Sequence, residues 1–378
     1  MSGIGVLFFA LPPARLKEEM NMKNLKKLFA LVLALAMVLS LVACGSKSGD
    51  ADTDTDAETP ASEDAEMIGG TDEPTDIAVT HNAIKIAIVQ QLDHASLDEI
   101  RLAIEAELDA QAAEKGIEIT YAEFNGQNDP TVLAQIGSQI VDGGYDAVIP
   151  IATLAAQTMV TAVEDHPIPV IFAAITDPEA AGLTGIDYVT GTSDALNTAF
   201  IMDMMFAQNP DIQTVGLLYS NSEINSAAPI AEAKAYLEDK GIAYVEKTGN
   251  TTDEIQAAVS SLVGEADAIF TPTDNVVMAA ELSIYETLIE AGIPHYAGAD
   301  SFVRNGAYAT CGVNYTELGT YTADMAVDVL LTGNVPEYHV MEGGIITVNT
   351  ETASALNADY SVFSTMASTV EEVITTED

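Results

Sequence analysis

Residues 214–226 read TVGLLYSNSEINS. The run Thr214 to Tyr219 has the length and apolar content of a buried strand. It stops in Ser220-Asn221-Ser222-Glu223, and a helical pattern begins near Asn225. In open α/β sheets, ligands settle beyond the carboxyl ends of the strands, against the free N–H groups of a helix start. Any single turn of this kind is equally an ordinary connection with a good N-cap. The weight therefore falls on how often the pattern returns along the chain.

It returns on both sides. Residues 84–90 (IKIAIVQ), 117–124, 146–152 (DAVIPIA) and 169–175 (PVIFAAI) read as strands. Helical patterns follow them from about Ala95 to Lys115, from Asp129-Pro130 to Gly143-Gly144, and from Thr153. Short connections between such repeats predict a parallel sheet. Around Thr190 to Asp194 the rhythm restarts with a helix over 195–208. Strands at 214–219, 242–247, 267–271 and 295–299 alternate with helices to Lys240, over 252–263 and to Glu290. A short strand over 307–313, a helix over 315–332 and an apolar segment near 345–348 complete the series. The expectation is an α/β fold: two Rossmann-like lobes with parallel sheets and a cleft between them, the default place for a ligand. Residues 82–192 plus 303–337 make up the first lobe, and 193–302 plus 338–365 the second, with an acidic tail at 366–378.

The N-terminus reads as an export address. Met22 to Lys27 is basic, residues 28–39 (LFALVLALAMVL) are apolar, and Leu41-Val42-Ala43-Cys44-Gly45 follows. The apolar stretch has signal-peptide length and is short for a membrane span. The ending resembles a bacterial lipobox, in which cleavage leaves Cys44 as a lipidated N-terminus. Residues 1–21, with Pro12-Pro13, do not fit this plan, which places the true start at Met22. Residues 1–44 are the signal region. Residues 45–81, rich in Ser, Asp, Thr, Glu, Ala and Pro, are a solvated acidic tether. With Cys44 lipidated, Cys311 stands alone and no disulfide is expected.

Of the 378 residues, 48% are hydrophobic, enough for real cores, and the formal net charge is −45 from 58 acids against 13 Lys+Arg. Five of those cations precede Cys44. So few cations exclude binding of nucleic acid or anionic lipid through a basic face. No P-loop, G-x-G-x-x-G, G-x-S-x-G or H-E-x-x-H string occurs, and the five histidines have no metal-ligand spacing. No cofactor, metal or catalytic residue is assigned, and an enzyme is not expected. Ser220, His94 and Asp274 are the one set that could assemble in space as a nucleophile, base and acid, and nothing in the sequence selects it.

The strand-end loops are Gln90 to His94, Ala152-Thr153, Thr176 to Pro178, Ser193-Asp194, Ser220 to Ser226, Thr271 to Asn275 and Asp300 to Arg304. Helix starts with hydroxyls can hold a carboxylate. Acids such as Glu223, Asp274 or Asp300 can hold an ammonium. Together they match a zwitterion such as an amino acid, while each Asp or Ser taken alone reads most simply as a helix cap.

Several strings then carry a resemblance: HASLD at 94–98, FAAITDPEAAGL at 172–183, VTGTSD at 189–194, VGLLYSNSEINS at 215–226, TPTDN at 271–275 and NGAYATCGVNYTELG at 305–319. From about residue 84 to 350 the chain resembles the bacterial ABC-transporter substrate-binding lipoproteins of the tryptophan-binding type, with a type I periplasmic-binding-protein fold. The resemblance implies a cleft lined near Gln90, Thr153, Thr176, Asp177, Ser193, Tyr219, Glu223, Asn225, Ser226, Asp274, Asn275 and Asp300. It also implies a monomer tethered outside the cell membrane by lipid on Cys44. Such a protein closes by a hinge on an aromatic or other apolar amino acid and delivers it to an ABC permease and its ATPase. The alternatives are a nucleoside or sugar in the same fold, a sensory role, or an exported hydrolase.

Overall fold

The computed structural model describes residues 83–376. The expected signal region, Cys44 and the acidic tether lie outside the described residues. No helix among the described residues is long and apolar enough to cross a membrane.

The chain begins β1 (Ile84–Gln90), α1 (Ala95–Lys115), β2 (Ile119–Asn125), α2 (Pro130–Gly143), β3 (Ala147–Ile151), α3 (Thr153–Val163), β4 (Val170–Phe172) and β5 (Val189–Ser193). It continues with α4 (Thr198–Gln208), β6 (Thr214–Tyr219), a 3-10 turn (Ile224–Ser226), α5 (Ala227–Lys240), β7 (Ala243–Thr248), α6 (Thr252–Leu262), β8 (Ala268–Thr271) and α7 (Asn275–Ala291). Then come β9 (His295–Ala297), α8 (Asp300–Arg304), β10 (Ala309–Gly312), α9 (Tyr315–Thr332), β11 (His339–Val340), β12 (Ile345–Asn349), α10 (Thr350–Leu356) and β13 (Thr369–Val373).

These strands form two sheets. The first has the order β11-β5-β4-β3-β1-β2, the second β13-β12-β10-β9-β8-β6-β7. All pairings are parallel except β10 with β12. The central strands β1, β3 and β8 are largely apolar because helices cover both faces. One face of the first sheet packs Val89, Val148 and Phe172 against Leu133 and Ile136 of α2 and Met159 of α3. The other packs Ile86, Ile88 and Ile149 against Ile100 and Ile104 of α1 and Leu318 of α9. In the second sheet, Val215, Leu217 and Phe270 pack on Ile201 and Met205 of α4 and Leu237 of α5. Asp129 caps α2 through the Thr131 N–H (2.7 Å), with Pro130 at the first helical position.

The chain passes between the lobes three times: between β5 and α4, between β10 and α9, and between β11 and β12. This corrects the expected division. Residues 303–337 do not go to the first lobe as a block: β10 pairs with β9 and β12 in the second sheet, and only α9 returns to the first. Conversely β11, expected in the second lobe, pairs with β5 in the first. Part of the expected acidic tail is β13, an edge strand paired with β12. Strand β5 carries no bulky apolar run because its centre is Gly191. A Cβ there would sit 2.1 Å from the Phe172 carbonyl oxygen, so only glycine allows β4 and β5 to approach.

Candidate functional site

The ends of β3, β4, β6 and β8 meet at a cavity of about 20 Å³ between the lobes, room for about one water. Thr153, Ala174, Thr176 and Leu97 line it from the first lobe, and Asn225, Thr273, Asn275 and Met278 from the second. Asp194 and Tyr315 line it from two of the crossings, with Phe302 beside them. Two of the lining residues hold unusual backbone: Ala152 has φ 75 and ψ 163, and Ala174 has φ 57. Such conformations cost non-glycine residues about 1–3 kcal/mol each and gather at functional sites. Here they turn the chain at the ends of β3 and β4, so that Thr153 and Thr176 come to the cleft.

Three buried carboxylates serve this region, each with a different set of partners. Asp274 caps α7: its Oδ1 accepts from the N–H groups of Val276 (3.1 Å) and Val277 (3.0 Å). Its Oδ2 accepts from Ser220 N–H (2.7 Å) and Ser226 Oγ (2.7 Å). Those four bonds use the capacity of an ionised carboxylate, and burial pushes its pKa up. Asp194 accepts from Thr176 Oγ1 (3.0 Å) and from Tyr315 OH (3.0 Å), one hydroxyl at each oxygen; burial raises its pKa as well. Glu223 accepts from Gln91 Nε2 (3.0 Å) across the cleft and from Asn275 Nδ2 (2.7 Å). Burial, then the neighbouring Asp274 charge, lifts Glu223 to about 7. Asn275 Oδ1 in turn meets His94 Nε2 of the first lobe (3.0 Å), and Thr176 Oγ1 meets Thr273 Oγ1 (2.9 Å). Ser96 bonds Ser301, and Glu99 bonds both Arg304 and Thr316 (2.8 Å), along the same seam.

Of the residues expected in the cleft, Thr153, Thr176, Asn225, Asp274 and Asn275 line the cavity, and Glu223 bridges its two walls. Ser226 is buried behind Asp274, and Ser193 Oγ donates to the Thr176 carbonyl (3.4 Å). Gln90 turns away: its Nε2 donates to Leu92 O (2.7 Å) and Asp98 Oδ1 (2.9 Å), and its Oε1 accepts from Arg101. The neighbouring Gln91 reaches the cleft instead, since successive side chains at a strand end take opposite sides. Tyr219 likewise points outward, donating to Glu246 (2.9 Å). Asp177 caps the turn at Ala180 (2.9 Å). Asp300 pairs with Arg304 (2.9 Å) in a separate acidic recess beside Glu371, where burial lifts it to about 6. The nucleophile set does not assemble. His94 bonds Asn275, Ser220 Oγ bonds Asn250 (2.9 Å) and Ser222 (2.6 Å), and Asp274 is held by its cap. Gln91, His94 and Asp194 lie in the loops expected at the strand ends, and Tyr315 in the string at 305–319, but none of the four is among the cleft residues expected from the sequence. Asp194 shares its expected loop with Ser193, whereas Tyr315 comes to the cleft only through the second crossing.

Similarity to known proteins fits this architecture. Residues 85–362 match the family described as ABC transporter substrate binding protein. A tyrosine-binding protein of Clostridioides difficile (strain R20291) is 32% identical over 280 residues, 72% of this chain and 80% of that protein. Among solved structures, an ABC domain in complex with L-Trp from Streptococcus pneumonia superposes with a TM-score of 0.70 at 31% identity, covering 76% of this chain and all of that one. A substrate binding protein with adhesive properties from Clostridium difficile, in a ligand-free, open form, gives 0.59 at 30% identity, covering 78% of this chain and all of that one. Two crossed α/β lobes, a polar seam where their strand ends meet, and a family match over most of the folded residues have one common reading: the chain belongs to the ABC transporter substrate-binding proteins.

Proposed function

We propose that this chain is an extracytoplasmic, lipid-anchored, monomeric solute-binding protein that closes its lobes on an aromatic amino acid and delivers it to an ABC permease and its ATPase. The observation that carries the ligand class is the charge pattern of the cavity. Asp194 is a buried carboxylate with two hydroxyl partners, and no Lys or Arg lines the cavity with it. An ammonium supplies the missing counter-charge. The N-terminus of α3 at Thr153 takes the ligand's carboxylate through backbone N–H groups, without a basic side chain. Leu97, Met278, Phe302 and Tyr315 supply the apolar surface for a ring. A cavity of about 20 Å³ holds no such ligand until its walls part, which accords with hinge closure. In the same sense, at nearly equal identity the chain matches the L-Trp complex better than the open, ligand-free structure. The tyrosine and tryptophan of the two relatives support the aromatic class.

The chain contains no tryptophan, so added tryptophan reports its own binding by emission. A saturable shift, a raised melting temperature, and weakening of roughly tenfold or more in Asp194→Asn, the loss of a charged hydrogen bond, are expected. Binding of nucleosides or sugars with no response to aromatic amino acids would overturn the ligand class.

A further inference from the structure

One hydrogen-bonded chain, Gln91–Glu223–Asn275–His94, runs from the first lobe into the second and back. Once Glu223 is ionised, above about pH 7, the direction of each bond is fixed. Gln91 is pinned because its Oε1 accepts the Leu154 N–H (2.9 Å), which turns its Nε2 to Glu223. Ionised Glu223 only accepts, so it takes the Nδ2 edge of Asn275 and leaves Oδ1 for His94. His94 Nε2 must then carry the hydrogen. Burial lowers the ring to about 4, so it is neutral and Nδ1 is an acceptor. That Nδ1 is shut off from solvent without a partner. Asn225 ends in the same way. Its Nδ2 donates to the Thr273 carbonyl (2.7 Å), and its Oδ1 is buried and unpartnered in a side chain 7% exposed. Both residues line the cavity, and among the described residues lining it no side-chain donor is left buried without a partner.

We propose that His94 Nδ1 and Asn225 Oδ1 are an acceptor pair for a hydrogen-bond donor on the ligand's ring, a phenol O–H or an indole N–H. Glu223 acts as the positioning residue that fixes their polarity through Asn275. This rests on the aromatic amino-acid reading and deepens it. A site built around such acceptors discriminates strongly against a ligand of the same shape that lacks the donor. Phenylalanine is that ligand for tyrosine, and 1-methyltryptophan for tryptophan.

The test is calorimetric titration of the purified full-length chain with these four compounds, at a pH well above 7 so that Glu223 is ionised. Tyrosine should bind about 100-fold or more tightly than phenylalanine, and tryptophan should exceed 1-methyltryptophan in the same sense. In His94→Phe both ratios should collapse toward one. Glu223→Gln offers one acceptor and one donor. With Gln91 pinned, Asn275 must turn its amide, and the hydrogen on His94 moves to Nδ1. At a pH well above 7, where Glu223 is ionised, nitrogen-15 NMR of the His94 ring should therefore show Nε2–H in the wild type and Nδ1–H in Glu223→Gln. Tryptophan, whose N–H cannot accept, should then lose affinity more than 1-methyltryptophan. Equal and tight binding of all four compounds would overturn the proposal and leave the amino-acid reading intact. Nδ1–H in the wild type would also overturn it. Binding of none of the four would overturn both.

Discussion

Two hydrogen-bonded chains of similar chemistry occupy different mechanical positions. Within the second lobe, Glu281 Oε1 meets His295 Nδ1 at 3.0 Å and His295 Nε2 meets Thr271 Oγ1 at 2.8 Å. These side chains come from α7, β9 and β8 and are buried, with Phe302 edge-on to the imidazole. At the cleft, Glu223 and Asn275 of the second lobe reach Gln91 and His94 of the first. The inner chain keeps its partners whatever the lobes do. In the proposed opening the outer chain keeps Glu223–Asn275 and exchanges its two interlobe bonds, Gln91–Glu223 and Asn275–His94, for water. A carboxylate joined to an imidazole therefore ties a core together in one place and reports lobe position in the other.

The largest effect should come from breaking the inner chain. Glu281→Ala leaves His295 Nδ1 buried without its partner and opens a cavity, and should cost about 3 kcal/mol of stability, read by urea denaturation. The folded fraction should still bind ligand. A comparable loss of affinity instead would erase the distinction between the two chains. Asp274→Ala comes next. It removes a cap and strands the Ser220, Val276 and Val277 N–H groups, so a loss of about 2 kcal/mol in stability is expected. A drop in affinity with unchanged melting would return Asp274 to direct ligand contact.

The third prediction uses pH. Glu223 is held near 7 in the fold against an ordinary 4.5. A carboxyl group raised in this way binds its proton more tightly folded than unfolded. Its contribution to stability is complete below about 4.5 and is lost as pH rises through about 7. The melting temperature of the wild type should therefore fall relative to Glu223→Gln between pH 5 and 8. Each kcal/mol corresponds to about 2–4 °C at this order of size. Asp194 and Asp300 shift in the same direction and cancel in the difference, whereas Asp274, whose charge acts on Glu223, titrates with it as a pair. A constant gap across the range would mean that Glu223 is ordinary. The smallest effect belongs to Tyr219→Phe, which loses one outward bond to Glu246. Affinity should be unchanged and stability should move within about 0.5 kcal/mol.

The strands that form the sheet centres were legible because burial on both faces writes a continuous apolar run. The expected bounds 84–90 and 214–219 match β1 and β6 residue for residue. Strands β5, β11 and β13 were not legible. Gly191 replaces bulk with close approach in the first, β11 is two residues long, and β13 is a half-exposed edge rich in acids. The assignment of β10 and α9 to opposite lobes is a long-range matter that no local pattern encodes. At the cleft, the loops were found but not the direction of each side chain. Gln90 and Gln91 differ by one position, and the reading favoured the wrong one. Asp274 and Glu223 look alike in sequence. Only the distances show one carboxylate spent on helix N–H groups and the other held by amides from both lobes.

The three chain crossings bear on the order of folding. The first sheet gains β11 only after residue 340 is available, and its helix α9 spans Tyr315–Thr332, after five strands and five helices of the other lobe have intervened. The second sheet is complete only with β13, at Val373. During synthesis the first lobe therefore lacks α9 and β11 until about residue 340, and the second lacks β12 and β13 until residue 373. Neither lobe is a contiguous stretch of chain, so each waits on segments that follow part of the other, and the first lobe completes its sheet before the second.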